Sequence, residues 1–120
     1  MSLFIRQNII LHSGQKSDFK IECEALTDED IETLAYLISK KFRFSRVIGI
    51  VRGGMRLMLA MEQYISPEEK FPVLIVDDVL TTGGSMEDAK KKLGEPCLGV
   101  VIYARGECPY WVYPVFQMWK

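Results

Sequence analysis

The sequence predicts an α/β protein: a compact open parallel sheet flanked by helices, with small cap segments at the N- and C-terminal ends. Three observations carry that expectation. Apolar runs at residues 47–51, 73–76 and 97–103 have the length and β-branching of strands buried on both faces. Segments of helical character alternate with them, as crossovers between parallel strands require. Glycine-rich or charged motifs follow the runs, where open α/β sheets place their ligand sites.

Taken in order, residues 3–12 (LFIRQNIILH) are apolar with a short polar break and suit an extended segment or a short helix. Ser13-Gly14 and then Lys16, Ser17 and Asp18 read as a turn, and residues 19–23 alternate like a half-buried strand. Thr27 is a good N-cap with Asp30 three positions on, a capping-box arrangement. Asp28, Glu29 and Asp30 fill the first turn of that helix and Lys40 and Lys41 its last, both suited to the macrodipole. Ile31, Leu34, Ile38 and Phe42 share a face, so the helix packs on the sheet.

After the strand at 47–51, Arg52-Gly53-Gly54 forms a tight turn into MRLMLAMEQYI, whose Met55, Met58 and Met61 read as core filler. A loop at 66–70 leads straight into the strand at 73–76. Beyond that strand, Met86, Ala89 and Leu93 line one helical face, and Gly94 with Pro96 ends the helix. The aromatic tail, YWVYPVFQMW at 110–119, suits a closing edge strand in which Pro114 limits pairing.

Composition narrows the function. The chain of 120 residues is 48% apolar with net charge −1, which suits one globular domain over 1–120 and gives no basic footprint for nucleic acid. Cys23, Cys97 and Cys108 are odd in number and widely spaced, pointing to a reducing compartment and to neither a disulfide framework nor a zinc site. With no 18-residue apolar run, and with Arg6 and Asn8 interrupting the first apolar stretch, the expectation is a cytoplasmic protein without membrane contact.

The chemistry concentrates in VLIVDDVLTTGGS, residues 73–85. Asp77 and Asp78 stand where the strand would emerge at its carboxyl end. Thr81, Thr82, Gly83, Gly84 and Ser85 then open a helix whose first amides are free to bind an anion. The acids would repel a phosphate, so they suit sugar hydroxyls or a cation alongside. No GxxxxGK[ST] or GxGxxG pattern is present.

This stretch resembles the phosphoribosyl pyrophosphate (PRPP) signature of type I phosphoribosyltransferases. The resemblance implies that Asp77 and Asp78 bind the ribose hydroxyls and that Thr81, Thr82, Gly83, Gly84 and Ser85 bind the 5-phosphate. It also implies that Arg52, Gly53 and Gly54 bind pyrophosphate, with Mg²⁺ carried on the diphosphate rather than held by a protein metal site. Asp77, Asp78 and Arg52 are then the groups nearest the reaction. LHSGQKSDFKIE is similar to the N-terminal cap of orotate phosphoribosyltransferases, in which an arginine matching Arg105 meets the carboxylate of orotate. Ala104 replaces the acid usual beside it. Trp111-Val112 with a nearby proline resembles the cap of xanthine-guanine enzymes, where a tryptophan stacks on the purine. The implied substrates are PRPP and a nucleobase. Thr81 favours a pyrimidine, because purine members usually carry an aspartate there. A purine enzyme and a PRPP- or nucleotide-binding module without turnover are the alternatives. The chain departs from the family between 66 and 70, where a strand and a long mobile basic loop are expected. A second copy in a homodimer is one way such a site is completed.

Overall fold

A computed structural model describes residues 1–68 and 70–119, so Glu69 of the expected 66–70 loop lies outside the described residues. Strands β1 (Phe4–Ile10) and β2 (Lys16–Ile21) pair antiparallel as a separate two-stranded sheet. The expected turn is tighter than the sequence suggested. Leu11 N–H donates to Gln15 O at 2.8 Å and Gly14 takes φ +89°, so Lys16, Ser17 and Asp18 already belong to β2.

Helix α1 (Asp28–Ser39) has its full capping box: Thr27 Oγ1 accepts from Asp30 N at 3.0 Å, and Asp30 Oδ2 accepts from Thr27 N at 2.8 Å. The helix stops at Ser39, so Lys40 is the C-cap and Lys41 lies beyond it. Phe42, also beyond the end, still packs against the core on which Ile31, Leu34, Ala35 and Ile38 are buried.

The main sheet contains β3 (Arg46–Gly49), β4 (Val73–Leu80), β5 (Cys97–Ala104) and β6 (Val112–Gln117), all parallel and in that order. Val51, expected in the strand at 47–51, is instead an exposed turn residue. Alternation along β4 sends Leu74 and Val76 into one core, with α1 and Leu57 and Met61 of α2 (Met55–Met61). Ile75 enters the other core, with Met86 of α3 (Gly84–Leu93), Trp111 and Val112. Helix α3 ends as expected: Gly94 takes φ +65° and its N–H donates to Lys90 O at 3.1 Å.

Opposite placement of α2 and α3 has a topological consequence. The steps β3 to β4 and β4 to β5 run the same way along a parallel sheet but cross on opposite faces, so one crossover is left-handed. Such crossovers are right-handed in about 98% of cases. A strand added outside β3, between α2 and β4, would turn the α2 crossover back and give it the hand of the next one. The path from α2 to β4 runs through a 3₁₀ turn (Glu62–Tyr64), and among the described residues no strand stands between them.

Candidate functional site

The acidic pair is held by a strand longer than its apolar run. β4 continues through Leu80, so Asp77 and Asp78 stand inside it rather than past its end, with Asp77 opposite Val101 of β5. Each carboxylate is oriented by the backbone amide of the residue that follows it. Asp77 Oδ1 accepts from Asp78 N at 2.8 Å, and Asp78 Oδ1 accepts from Val79 N at 2.7 Å.

Asp77 is 8% exposed, and burial together with the Asp78 charge pushes its carboxyl well above the ordinary range, to about 8. The folded protein therefore binds a proton at Asp77 that the unfolded chain, with a value near 3.8, has released. Stability from this group is fully present below the unfolded value and is lost as pH rises through the folded one. The wild-type protein is expected to lose stability between about pH 6 and about pH 9, and Asp77→Asn to flatten that loss. Chemical denaturation at the two pH values checks it; an equal loss in both proteins refutes it.

Next comes the loop. Gly83 adopts φ +86°, a left-handed angle that side-chain-bearing residues rarely take, and from it α3 starts at Gly84. Thr82 Oγ1 accepts from Gly84 N at 3.3 Å, while the next amides of the first turn point from the helix N-terminus with no intrahelical acceptor.

The turn after β3 meets this strand end closely. A Cβ at Gly53 would lie 2.4–2.5 Å from the Asp78 carboxylate, so only glycine lets that turn approach the acid. Gly54 faces backbone instead: its Cβ would lie 2.4 Å from Val76 O and 2.8 Å from Ile50 N. The Val51–Arg52 peptide bond is cis, and Arg52 is exposed at the rim.

These parts line one cleft of 740 Å³. Its floor includes Arg52, Gly53, Asp77, Asp78 and all five loop residues from Thr81 to Ser85. Its roof is the β1–β2 hairpin, through Ile9, Ile10, Leu11, His12 and Ser13 on one strand and turn and Lys20, Ile21 and Glu22 on the other. A second compartment of 510 Å³ adjoins it, sharing Leu11, Thr81, Thr82 and Arg105, and adding Phe19 and Trp119 among its walls.

Arg105 stands between the compartments. Its guanidinium lies 3.8 Å over the Phe19 ring and donates from Nη2 to Ser17 Oγ at 2.5 Å and to Phe19 O at 3.1 Å. Gly54 does not line the cleft; its part is to bring α2 onto β4.

Trp111 is not brought to the site. It is 5% exposed in the α3 core and donates from Nε1 to Glu87 Oε1 at 2.9 Å, so its burial removes the base-platform role. The closing-strand reading of the tail holds, with β6 parallel to β5. Trp111→Phe is expected to lower stability by about 1–3 kcal/mol through lost packing and the Glu87 bond. Ligand-induced stabilisation should be unaffected, and its loss in thermal melts would return Trp111 to the site.

Sequence reasoning missed Phe19, His12 and Arg56. The first two were read as parts of a cap; neither carries a local pattern marking it as a cleft wall. Arg56 of α2 donates to Cys23 O at 3.4 Å, Leu26 O at 2.9 Å and Asp28 Oδ1 at 3.1 Å, tying the segment after the hairpin to the helix. Cys23, beside the acids, has its thiol pushed up to about 12 by burial and by the Asp78 charge, so it stays protonated at neutral pH.

An open parallel sheet with an acidic pair and a glycine loop under an N-terminal hairpin is the fold of the type I phosphoribosyltransferases. The structure is similar to orotate phosphoribosyltransferase from Aeropyrum pernix, with TM-score 0.73 and 22% identity over 97% of this chain and 88% of that one. It is also similar to UMP synthase from Leishmania donovani, with TM-score 0.75 and 18% identity over 97% of this chain. The chain spans 34% of that synthase. Orotate phosphoribosyltransferase from Francisella tularensis matches with TM-score 0.58 and 19% identity, over 86% of this chain and 66% of that one. No family model matches the sequence, and no curated protein matches it. Likeness at these identities establishes the fold; the reading of activity rests on the site. Among the described residues, no helix is long and apolar enough to cross a membrane.

Proposed function

We propose that the protein is a phosphoribosyltransferase that joins the ribose 5-phosphate of PRPP to a nucleobase, with an orotate-like pyrimidine as the favoured acceptor. The observation that carries this reading is the shared cleft. Asp77 and Asp78, the loop from Thr81 to Ser85, and the Arg52-Gly53 turn line one space, although the turn and the loop come from different strand ends. In that space the carboxylates accept from the ribose hydroxyls, the α3 amides donate to the 5-phosphate, and Arg52 faces the diphosphate.

Among the described residues, no group of three or more His, Cys, Asp or Glu is placed to hold a metal ion. Magnesium binds through one or two carboxylates together with substrate phosphates, so the Asp77–Asp78 oxygens fit an ion that arrives on the diphosphate. When bound, Mg²⁺ would neutralise charge on the departing pyrophosphate.

In the reaction, the bond from ribose C1 to the diphosphate oxygen breaks and pyrophosphate leaves with the electron pair. A base nitrogen bonds to C1, and any proton on that nitrogen passes to solvent. The protein's part is positioning and electrostatic stabilisation of a cationic ribose centre.

Thr81 supports the pyrimidine acceptor: the loop offers no carboxylate at that position to serve a purine nitrogen, and an acceptor already acidic at its reacting nitrogen needs less help from a base. Pyrophosphate release is expected to be faster with orotate or uracil than with hypoxanthine, guanine or xanthine. The reverse order overturns the acceptor, and no release with any base overturns the enzyme. A binding module without turnover is favoured by one observation, the short path from α2 to β4 that leaves the diphosphate end of the cleft with few local groups. That reading expects Mg²⁺-dependent PRPP affinity with no product.

A further inference from the structure

A two-stranded hairpin has little stability of its own in water and takes its position from what it docks on. Here β1 and β2 form a sheet separate from the main one, and they roof both compartments. Far from the hairpin tip, Phe4 meets Tyr103 edge-on with ring centroids 5.9 Å apart, and Ile21 is buried. Near the tip, the contact with the core comes through Arg105.

The residue is well placed to act as a fastener. Its backbone N–H donates to Leu80 O at 2.8 Å, which fixes its Cα against the end of β4, just before the phosphate loop. Its side chain then grips β2 in three ways: the Ser17 Oγ bond, the Phe19 carbonyl bond, and stacking on the Phe19 ring. Ser17 Oγ donates in turn to Phe19 O at 2.8 Å, so the gripped segment is locally rigid. A planar guanidinium can stack and donate at once; an ammonium cannot.

We infer that Arg105 is a positioning residue that holds the N-terminal hairpin down over the cleft, with Ser17 and Phe19 as its partners, so that one side chain sets the roof height of both compartments. This goes beyond contact with an acceptor. The consequence for catalysis rests on the phosphoribosyltransferase reading, while the fastening itself does not.

Hydrogen exchange read by mass spectrometry tests the fastening without any substrate. In Arg105→Ala, amides of β1 and β2 should exchange on the order of tenfold faster, with α1 and α3 unchanged as internal controls of folding. Arg105→Lys, which keeps charge but loses the stacked fork, should fall between. In Arg105→Ala with Ser17→Ala the increase should be less than the sum of the two single effects, because both variants remove the same Arg105–Ser17 bond and only the local Ser17–Phe19 bonds are lost in addition. Unchanged hairpin exchange in Arg105→Ala overturns the inference whatever the activity. The kinetic arm uses Ser17→Ala, which leaves the guanidinium in place: both it and Arg105→Ala should raise KM for the acceptor base. A raised KM in Arg105→Ala with none in Ser17→Ala means direct contact with the base and overturns the positioning role. A loosened hairpin in a protein that releases no pyrophosphate keeps the fastener and removes the enzyme reading.

Discussion

Replacing Asp77 and Asp78 together by asparagine abolishes the stabilisation expected from PRPP with Mg²⁺. In the wild-type protein, ligand at a hundredfold excess over Kd should add about 2.7 kcal/mol of apparent stability. For a chain of this size that is an upward Tm shift of about 10 °C. The double variant should show none, because an amide at 78 loses the charge-assisted acceptance of a ribose hydroxyl, and an amide at 77, unlike the carboxyl it replaces, cannot ionise when the ligand and Mg²⁺ arrive. It should still fold. Asparagine keeps a carbonyl oxygen that can accept from the Asp78 and Val79 backbone amides, and burying an amide at 77 avoids the cost that holds that carboxyl protonated. An unchanged Tm shift in the variant removes the ribose-binding role of the pair.

The second large effect separates two adjacent glycines. Gly54→Ala should destabilise the protein by about 1–3 kcal/mol or more, since its Cβ meets the backbone at Val76 and Ile50, which a side-chain rotation cannot relieve. At Gly53 the nearest atoms to an added Cβ belong to the Asp78 carboxylate, so in Gly53→Ala the carboxylate or the turn must shift. Its stability should change less, while PRPP affinity falls by about tenfold or more, a loss of about 1.4 kcal/mol. Denaturant titration and calorimetric binding, run on both variants, check the contrast. Equal stability losses with PRPP binding intact in Gly53→Ala would show that the turn and the acid are independent.

Much of the site was legible because its parts are local. The acid pair, the loop from Thr81 to Ser85 and the Arg52-Gly53 turn each follow an apolar run, and a buried parallel strand delivers whatever follows it to one edge of the sheet. The three runs became β3, β4 and β5, and Thr27 with Asp30 marked the start of α1 because a capping box closes within three residues. Strand ends were less legible. β4 runs past the acids to Leu80 because β5 stays paired with it as far as Ala104, and an acid pair in the sequence does not announce a partner strand.

Local patterns in the chain were enough for the α/β class and for the strand and helix content of the core, and they marked the segments at 52–54 and 77–85 as the candidate site. Each of these is written in residues near one another in the chain. The tertiary structure alone decided the rest. Trp111 turned inward because Gly99 of β5 leaves space against Met86 of α3, and Glu87 of the same helix supplies an acceptor for the indole N–H. Arg105 found Ser17 and Phe19, 88 and 86 positions away, because the hairpin folds back over the end of β4. Contacts of that span depend on how elements pack, and periodicity or motif spacing holds no record of them.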